Sequence, residues 1–184
     1  GVFATSGPLA AAPDARPGAL LPSALACEID HSGANDEPGQ KDLTKMCQDP
    51  AALPVSLSIS WNWDEITWTG ENTGDACSLY DSDGDLKANY SLCVTIAGDP
   101  ATFQTTRLYR CGDDNAERCS NPITVLPLGA GTSCSASVEA DDPFGSGVLN
   151  GPGDSYPNDT IGRCTVAVSD FEGAPAVLID VCSY

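Results

Sequence analysis

Histidine, methionine and positive charge are scarce in this chain of 184 residues, which holds one His, one Met and 8 Lys plus Arg. His31 alone, with no Cys-x-x-Cys pair anywhere, leaves too few ligands at the right spacing for a zinc ribbon or finger. Against the 8 basic residues stand 26 acidic ones, for a formal net charge of -18. Nucleic acid and anionic membrane surfaces repel such a chain, so neither is an expected partner. No apolar run approaches the ~18 residues of a membrane-spanning helix, and membrane insertion is not expected. Gly-x-Ser-x-Gly, His-Glu-x-x-His, phosphate-loop and dinucleotide fingerprints are all missing. His31 sits in a polar Asp30-His31-Ser32-Gly33 stretch with no oriented serine, so the expectation is a protein that is not an enzyme. Gly1 carries no basic, apolar leader, and any secretion signal is expected to have been removed.

Cysteine and aspartate are abundant. Nine dispersed cysteines without metal spacing point to disulfides and an oxidising compartment, extracellular or at a cell surface. The short intervals suggest Cys27–Cys47, Cys77–Cys93, Cys111–Cys119 and Cys134–Cys164, although sequence alone does not fix connectivity. That scheme leaves Cys182 over. The acidic set is 19 Asp and 7 Glu. Glu favours helices, whereas Asp favours turns and hard-cation sites.

The sharpest single feature lies between Cys77 and Cys93. Asp81-Ser82-Asp83-Gly84-Asp85 places carboxylates at alternate positions of a glycine-containing turn. Side chains so spaced converge, and their repulsion calls for a cation; oxygen ligands in a flexible loop suit calcium. The spacing is not that of an EF-hand, because Leu86 and Leu92 stand where Gly and a bidentate Glu belong. Asp141 and Asp142, with Asp154 and Asp159 further on, form a second candidate metal cluster. Asp113-Asp114, inside the Cys111–Cys119 interval, has the same standing, either a further donor to a cation or a solvated acidic turn. Asn89-Tyr90-Ser91 and Asn158-Asp159-Thr160 are N-glycosylation sequons.

Residues 1–25 differ in composition from the rest. Pro8, Pro13, Pro17 and Pro22 recur among Ala, Gly and Leu, as in an extended arm. Val2, Phe3, Leu9, Leu20 and Leu21 give that arm apolar surface to dock, and a neighbouring copy of the chain is the expected recipient. Residues 26–184 read as one domain. Leu43, Met46 and Cys47 fall on one side of a short helix expected over 42–47 and closed by Pro50.

From Val55 the pattern is β. Val55, Leu57, Ile59, Trp61 and Trp63 alternate with polar residues, the mark of a half-buried strand with the tryptophans in the core. Trp68 is freer to serve as an aromatic platform for sugar. Tyr90–Ile96, Phe103–Arg110, Ile123–Leu126, Cys134–Val138, Arg163–Val168 and Val177–Val181 are further strands between Gly, Pro, Asn and Asp clusters. Short strands without a long helix imply an all-β antiparallel sandwich, a jelly-roll in preference to an immunoglobulin-like domain.

The Asp81–Asp85 segment resembles the Asp-rich calcium loops of thrombospondin type 3 repeats and dockerins, with Leu86 where those carry glycine. A wider resemblance rests on Thr73-Gly-Asp-Ala-Cys77, Asn89-Tyr-Ser-Leu-Cys-Val94, Gly153-Asp-Ser-Tyr-Pro-Asn-Asp-Thr160 and Leu178-Ile-Asp-Val-Cys-Ser-Tyr184. These phrases are similar to β-sandwich modules of large secreted prokaryotic cell-surface proteins. The resemblance implies an extracellular structural or adhesive role, and a native chain that continues past Tyr184 to a partner for Cys182. The leading expectation is a calcium- and disulfide-stabilised subunit that assembles head-to-tail, as a filament or pilus-like polymer, through its arm. The alternative is a surface adhesin or carbohydrate-binding module.

Overall fold

A computed structural model describes residues 25–30, 43–66, 68, 73–143, 158–172 and 176–183. Val2, Phe3, Leu9 and the rest of the arm up to residue 24 lie outside these, as do His31 and Asp154. The described residues form ten strands in two antiparallel sheets. The first sheet has the order β1 (Ala26–Ile29), β2 (Leu43–Asp49), β3 (Ser56–Trp63), β9 (Asp159–Ala167), β8 (Ser133–Glu139). The second has the order β10 (Val177–Ser183), β4 (Gly74–Asp81), β5 (Tyr90–Ala97), β6 (Thr102–Arg110), β7 (Thr124–Leu126). Each sheet is mainly a meander, with one long return: β9 beside β3 and β10 beside β4. The protein is therefore an all-β sandwich.

Period-two patterning explains how the sheets close on each other. Leu57, Ile59, Trp61 and Trp63 of β3 point inward and are buried, while Ser56, Ser58 and Ser60 point outward. They meet Ala76 and Tyr80 of β4, Leu92, Val94 and Ile96 of β5 and Leu108 of β6. Phe171, in a short 3-10 turn (Val168–Phe171) after β9, packs between Tyr80, tilted against it, and Tyr90, edge to face, at centroid distances of 4.8 and 5.5 Å. Two glycines make room for the indoles. A Cβ on Gly162 would lie 3.0 Å from Trp63, Ile96 and Phe103, and one on Gly74 would lie 2.5 Å from the Trp68 ring.

Three expectations need correction. Leu43–Asp49 is a strand, not a helix: β1 and β3 hydrogen-bond it on both sides, and that pairing overrides its local helical spacing. Val55 precedes β3 in a turn and is 75% exposed. Trp68 is 1% exposed, packed edge-on against Trp63, and donates its indole N–H to Thr160 Oγ1 at 2.7 Å. It is core and cannot serve as a platform for sugar.

The cysteines follow the sheet register. Cys27–Cys47, Cys77–Cys93 and Cys134–Cys164 each join residues directly opposite one another on neighbouring strands, and Cys111–Cys119 closes a loop after β6. These are the local pairs that the sequence intervals suggest. The backbone of Cys182 on β10 stands in register with Cys77.

Gly74→Ala is expected to destabilise the fold by about 1–3 kcal/mol, because the new methyl must displace a fully packed indole. Urea unfolding followed by tryptophan fluorescence measures it. A midpoint unchanged from the parent protein would contradict the packing described.

Candidate metal centre

The turn between β4 and β5 is built by its own aspartates. Asp81, the last residue of β4, is 2% exposed. Its Oδ1 accepts the backbone N–H groups of Asp83 at 2.9 Å and Gly84 at 2.7 Å, and its Oδ2 accepts that of Leu86 at 2.8 Å. Asp83 Oδ1 accepts from Asp85 N at 3.3 Å, and Asp85 Oδ1 from Lys87 N at 2.9 Å. Each aspartate thus folds the chain back over itself, the habit that makes Asp a turn residue. One carboxylate oxygen from each of Asp81, Asp83 and Asp85 lies within 4.8 Å of the other two. A hard cation with ligand distances of about 2.3–2.6 Å can draw that set together with small side-chain rotations.

Gly84 and Leu86 both have positive φ, 87° and 65°. Glycine adopts this region freely; a leucine there carries strain of roughly 1–2 kcal/mol. Leu86 is 67% exposed, so packing does not offset that strain. Leu86 therefore stands at a position where the backbone favours glycine.

Two disulfides frame the turn. Cys77–Cys93 ties β4 to β5 behind it, and the Cys111–Cys119 loop packs beside it. Ala88 N donates to Asn115 O at 2.9 Å, and Cys111 N donates to Asn89 O at 2.8 Å. Leu79, Ala88 and Cys111 bury a small apolar cluster beneath these bonds. The result brings a fourth carboxylate toward the first three. Asp113, at positive φ of 55°, has a buried Oδ1 without a hydrogen-bond partner. Burial raises its pKa, and the charges of Asp83, Asp85 and Asp81 raise it further. The sequence left Asp113 open between a cation donor and a solvated turn, and the packing of its loop sets it among the charges of Asp83, Asp85 and Asp81.

The nearest positive charge is Lys87, whose Nζ lies 2.7 Å from Asp85 Oδ2. That hydrogen bond holds the Asp85 carboxyl below its ordinary value. Asn89 accepts Ser82 N at 2.6 Å and is half-buried, so a glycan on it would crowd the turn. Asn158 directly precedes β9.

Asp141 and Asp142 lie past the end of β8. Asp141 is exposed and pairs with Lys45 Nζ at 3.0 Å. It also holds Asn62, whose Nδ2 donates to the Asp141 carbonyl at 3.2 Å. Beneath this segment Asp159 is fully buried. Burial pushes its carboxyl up to about 7, the charges of Asp142 and Asp64 add to the rise, and the polar groups of Thr44 and Asn62 oppose it.

No family model matches the chain, and no curated protein or solved structure is detectably similar to it. The class of protein rests on the fold and this geometry: a disulfide-bonded β-sandwich with an acidic cluster able to hold a metal ion. Among the described residues no helix is long and apolar enough to cross a membrane.

Two measurements follow from the geometry. If the cluster holds a metal ion, Asp83→Asn with Asp85→Asn is expected to abolish its binding at the turn while leaving the fold intact, since both side chains are exposed. Calcium titration by calorimetry, with circular dichroism as the control, reports this; undiminished binding would contradict the assignment. Asp159 gives a pH dependence. Its folded value of about 7 exceeds the ordinary ~4, so the folded chain keeps a proton that the unfolded chain loses. Metal-free protein should therefore lose stability as pH rises from about 4 to about 7, and Asp159→Asn should flatten that slope. Thermal melts in chelator across the range test it.

Proposed function

We propose that this protein is an extracellular, calcium-stiffened structural subunit that assembles head-to-tail with copies of itself through its N-terminal arm. The observation that carries the calcium reading is the convergence of Asp81, Asp83 and Asp85 at the tip of a disulfide-tied hairpin. All the donors are oxygens and the turn is largely exposed, a combination suited to the calcium levels found outside cells rather than to a high-affinity cytosolic buffer. Four cross-links of this kind persist in oxidising surroundings. Calcium would replace Lys87 as the partner of Asp85 and fix the turn that the aspartates already shape.

The assembly reading draws on the sheet edges. β7 and β8 are edge strands, with Val125 57% and Val138 48% exposed, and Ile123 beside β7 is 65% exposed. Unpaired edges with apolar side chains invite strand addition. The arm, with Val2, Phe3 and Leu9, has the composition to supply a strand to a neighbouring copy. A head-to-tail contact of this kind yields a ring or an open filament, depending on its rotation. The same reading makes the protein non-catalytic, related in role to the modules of large secreted surface proteins.

A second reading, a carbohydrate-binding adhesin, draws on a groove of about 390 Å³ on the outer face of the second sheet. Thr95, Thr105, Arg107 and Tyr109 line it, offering hydroxyls, a guanidinium and one aromatic ring.

Deleting residues 1–21 separates the two. The assembly reading expects the full-length chain to form oligomers or filaments in calcium and the truncated chain to be a folded monomer, by light scattering and negative-stain microscopy. A full-length chain that is monomeric under every condition, or a truncated chain that assembles equally well, would reject assembly through the arm.

A further inference from the structure

The outer face of the second sheet carries polar chemistry that the acidic turn does not use. Leu108 of β6 is buried in the core, so Thr105, Arg107 and Tyr109, at alternate positions on the same strand, project from the opposite face. On β5, Thr95, Cys93 and Ser91 stand directly opposite them in register. All six side chains line the groove of about 390 Å³, and the Cys77–Cys93 disulfide ties β4 to β5 within it. A cleft of that volume is at the small end of those that hold ligands, so its occupant is short.

Two opposite charges line this groove without meeting. Arg107 is exposed, and among the described residues it has neither a carboxylate partner nor a hydrogen bond. Lys45, Lys87, Arg110 and Arg163 each hold a carboxylate; Arg107 does not, although the chain carries a net charge of -18. Asp75, two strands away on β4, is committed to hydroxyls: its Oδ1 accepts from Thr95 Oγ1 at 2.6 Å and its Oδ2 from Thr73 Oγ1 at 2.5 Å. The groove thus offers a planar fork of cationic donors on β6, an anionic acceptor on β4 and a threonine hydroxyl on β5 between them. The half-buried Tyr109 ring stands two residues along from the cation.

We propose that this groove binds a uronic acid unit of a short saccharide, its carboxylate on Arg107 and its ring against Tyr109, an inference that rests on the carbohydrate-binding reading and names its ligand. A guanidinium fork takes a carboxylate in bidentate fashion, which a neutral sugar cannot exploit. The tyrosine ring supplies an apolar body for the C–H face of a pyranose and a polar tip for its hydroxyls. Alternate positions on a strand are about 7 Å apart, so Arg107 and Tyr109 lie within reach of one sugar unit. Asp75 accepts from the remaining ring hydroxyls, and Thr95 and Thr105 both accept and donate. One guanidinium neutralises one carboxylate, and the net charge of -18 repels longer polyanions, so the ligand carries a single acidic unit. The same repulsion disfavours anion binding elsewhere on the surface, which leaves the uncommitted arginine in a groove as the specific anchor.

The test titrates the full chain with methyl glucuronoside and methyl galacturonoside, and with the matching methyl glucoside and galactoside, which carry a hydroxymethyl group in place of the carboxylate. Chelator is present throughout, so that no metal ion bridges an acidic sugar to the turn at Asp81. Binding is read by NMR titration. Arg107→Gln removes the charge from an exposed side chain and leaves the circular dichroism unchanged; Arg107→Lys keeps the charge without the fork. The expected result is that at least one uronoside binds roughly tenfold or more tightly than its neutral counterpart. Arg107→Gln abolishes that preference, and Arg107→Lys restores only part of it. A preference for the uronoside that survives Arg107→Gln would overturn the proposal. Acidic and neutral sugars that bind equally well would overturn it too, while leaving the carbohydrate-binding reading in place. Failure of all four sugars to bind would overturn both.

Discussion

Repulsion between carboxylates is the constraint around which this sandwich is organised. With 26 acidic against 8 basic residues, most carboxylates have no basic partner to neutralise them. The described lysines and arginines that do pair, Lys45, Lys87, Arg110 and Arg163, each take one carboxylate at the surface. Glu139 illustrates the effect: hydrogen bonds from Arg163 and then Ser137 lower its carboxyl to about 2. Asp81, Asp83 and Asp85 gather at the β4–β5 turn, where a strand ends and backbone groups can help to hold an ion.

The fold tolerates this because its stability comes from elsewhere. Fully buried indoles, phenol rings and aliphatic side chains fill the space between the sheets. Three of the disulfides staple neighbouring strands within a sheet rather than joining the two sheets. They fix register, which in a sandwich decides which face of each strand is buried. The Cys77–Cys93 staple also fixes the base of the acidic turn. The Cys111–Cys119 loop then sets Asp113 against it. Covalent cross-links thus set the geometry, and a cation would balance the charge.

Much of this was legible in the sequence where the physics is local. The alternation from Leu57 to Trp63 gave the central strand and placed two tryptophans in the core. The alternate aspartates at 81, 83 and 85 are neighbours in the chain, so their convergence could be read directly. β4 was not legible: it is buried on both faces, and a Gly-Asp-Ala-Cys-Ser sequence shows no period when neither face is solvent. β2 read as a helix because Leu43, Met46 and Cys47 also fit that spacing, and only its partners on either side decide the matter. Trp68 read as exposed because nothing nearby in sequence announces Gly74 and Thr160, which make its pocket. The same limit left Asp113 open between cation donor and solvated turn, since its place beside the β4–β5 turn exists only once the Cys111–Cys119 loop packs there.

Thermal unfolding of the native chain in calcium, in chelator and in magnesium tests the central claim most directly. An ion bound only to the folded state stabilises it by mass action, about 2.7 kcal/mol at a hundredfold excess over its Kd. For a chain of this size that raises Tm by roughly 5–10 °C. The account predicts such a rise in calcium, a much smaller one in magnesium, and its disappearance in chelator. Identical melting curves in calcium and chelator would contradict it.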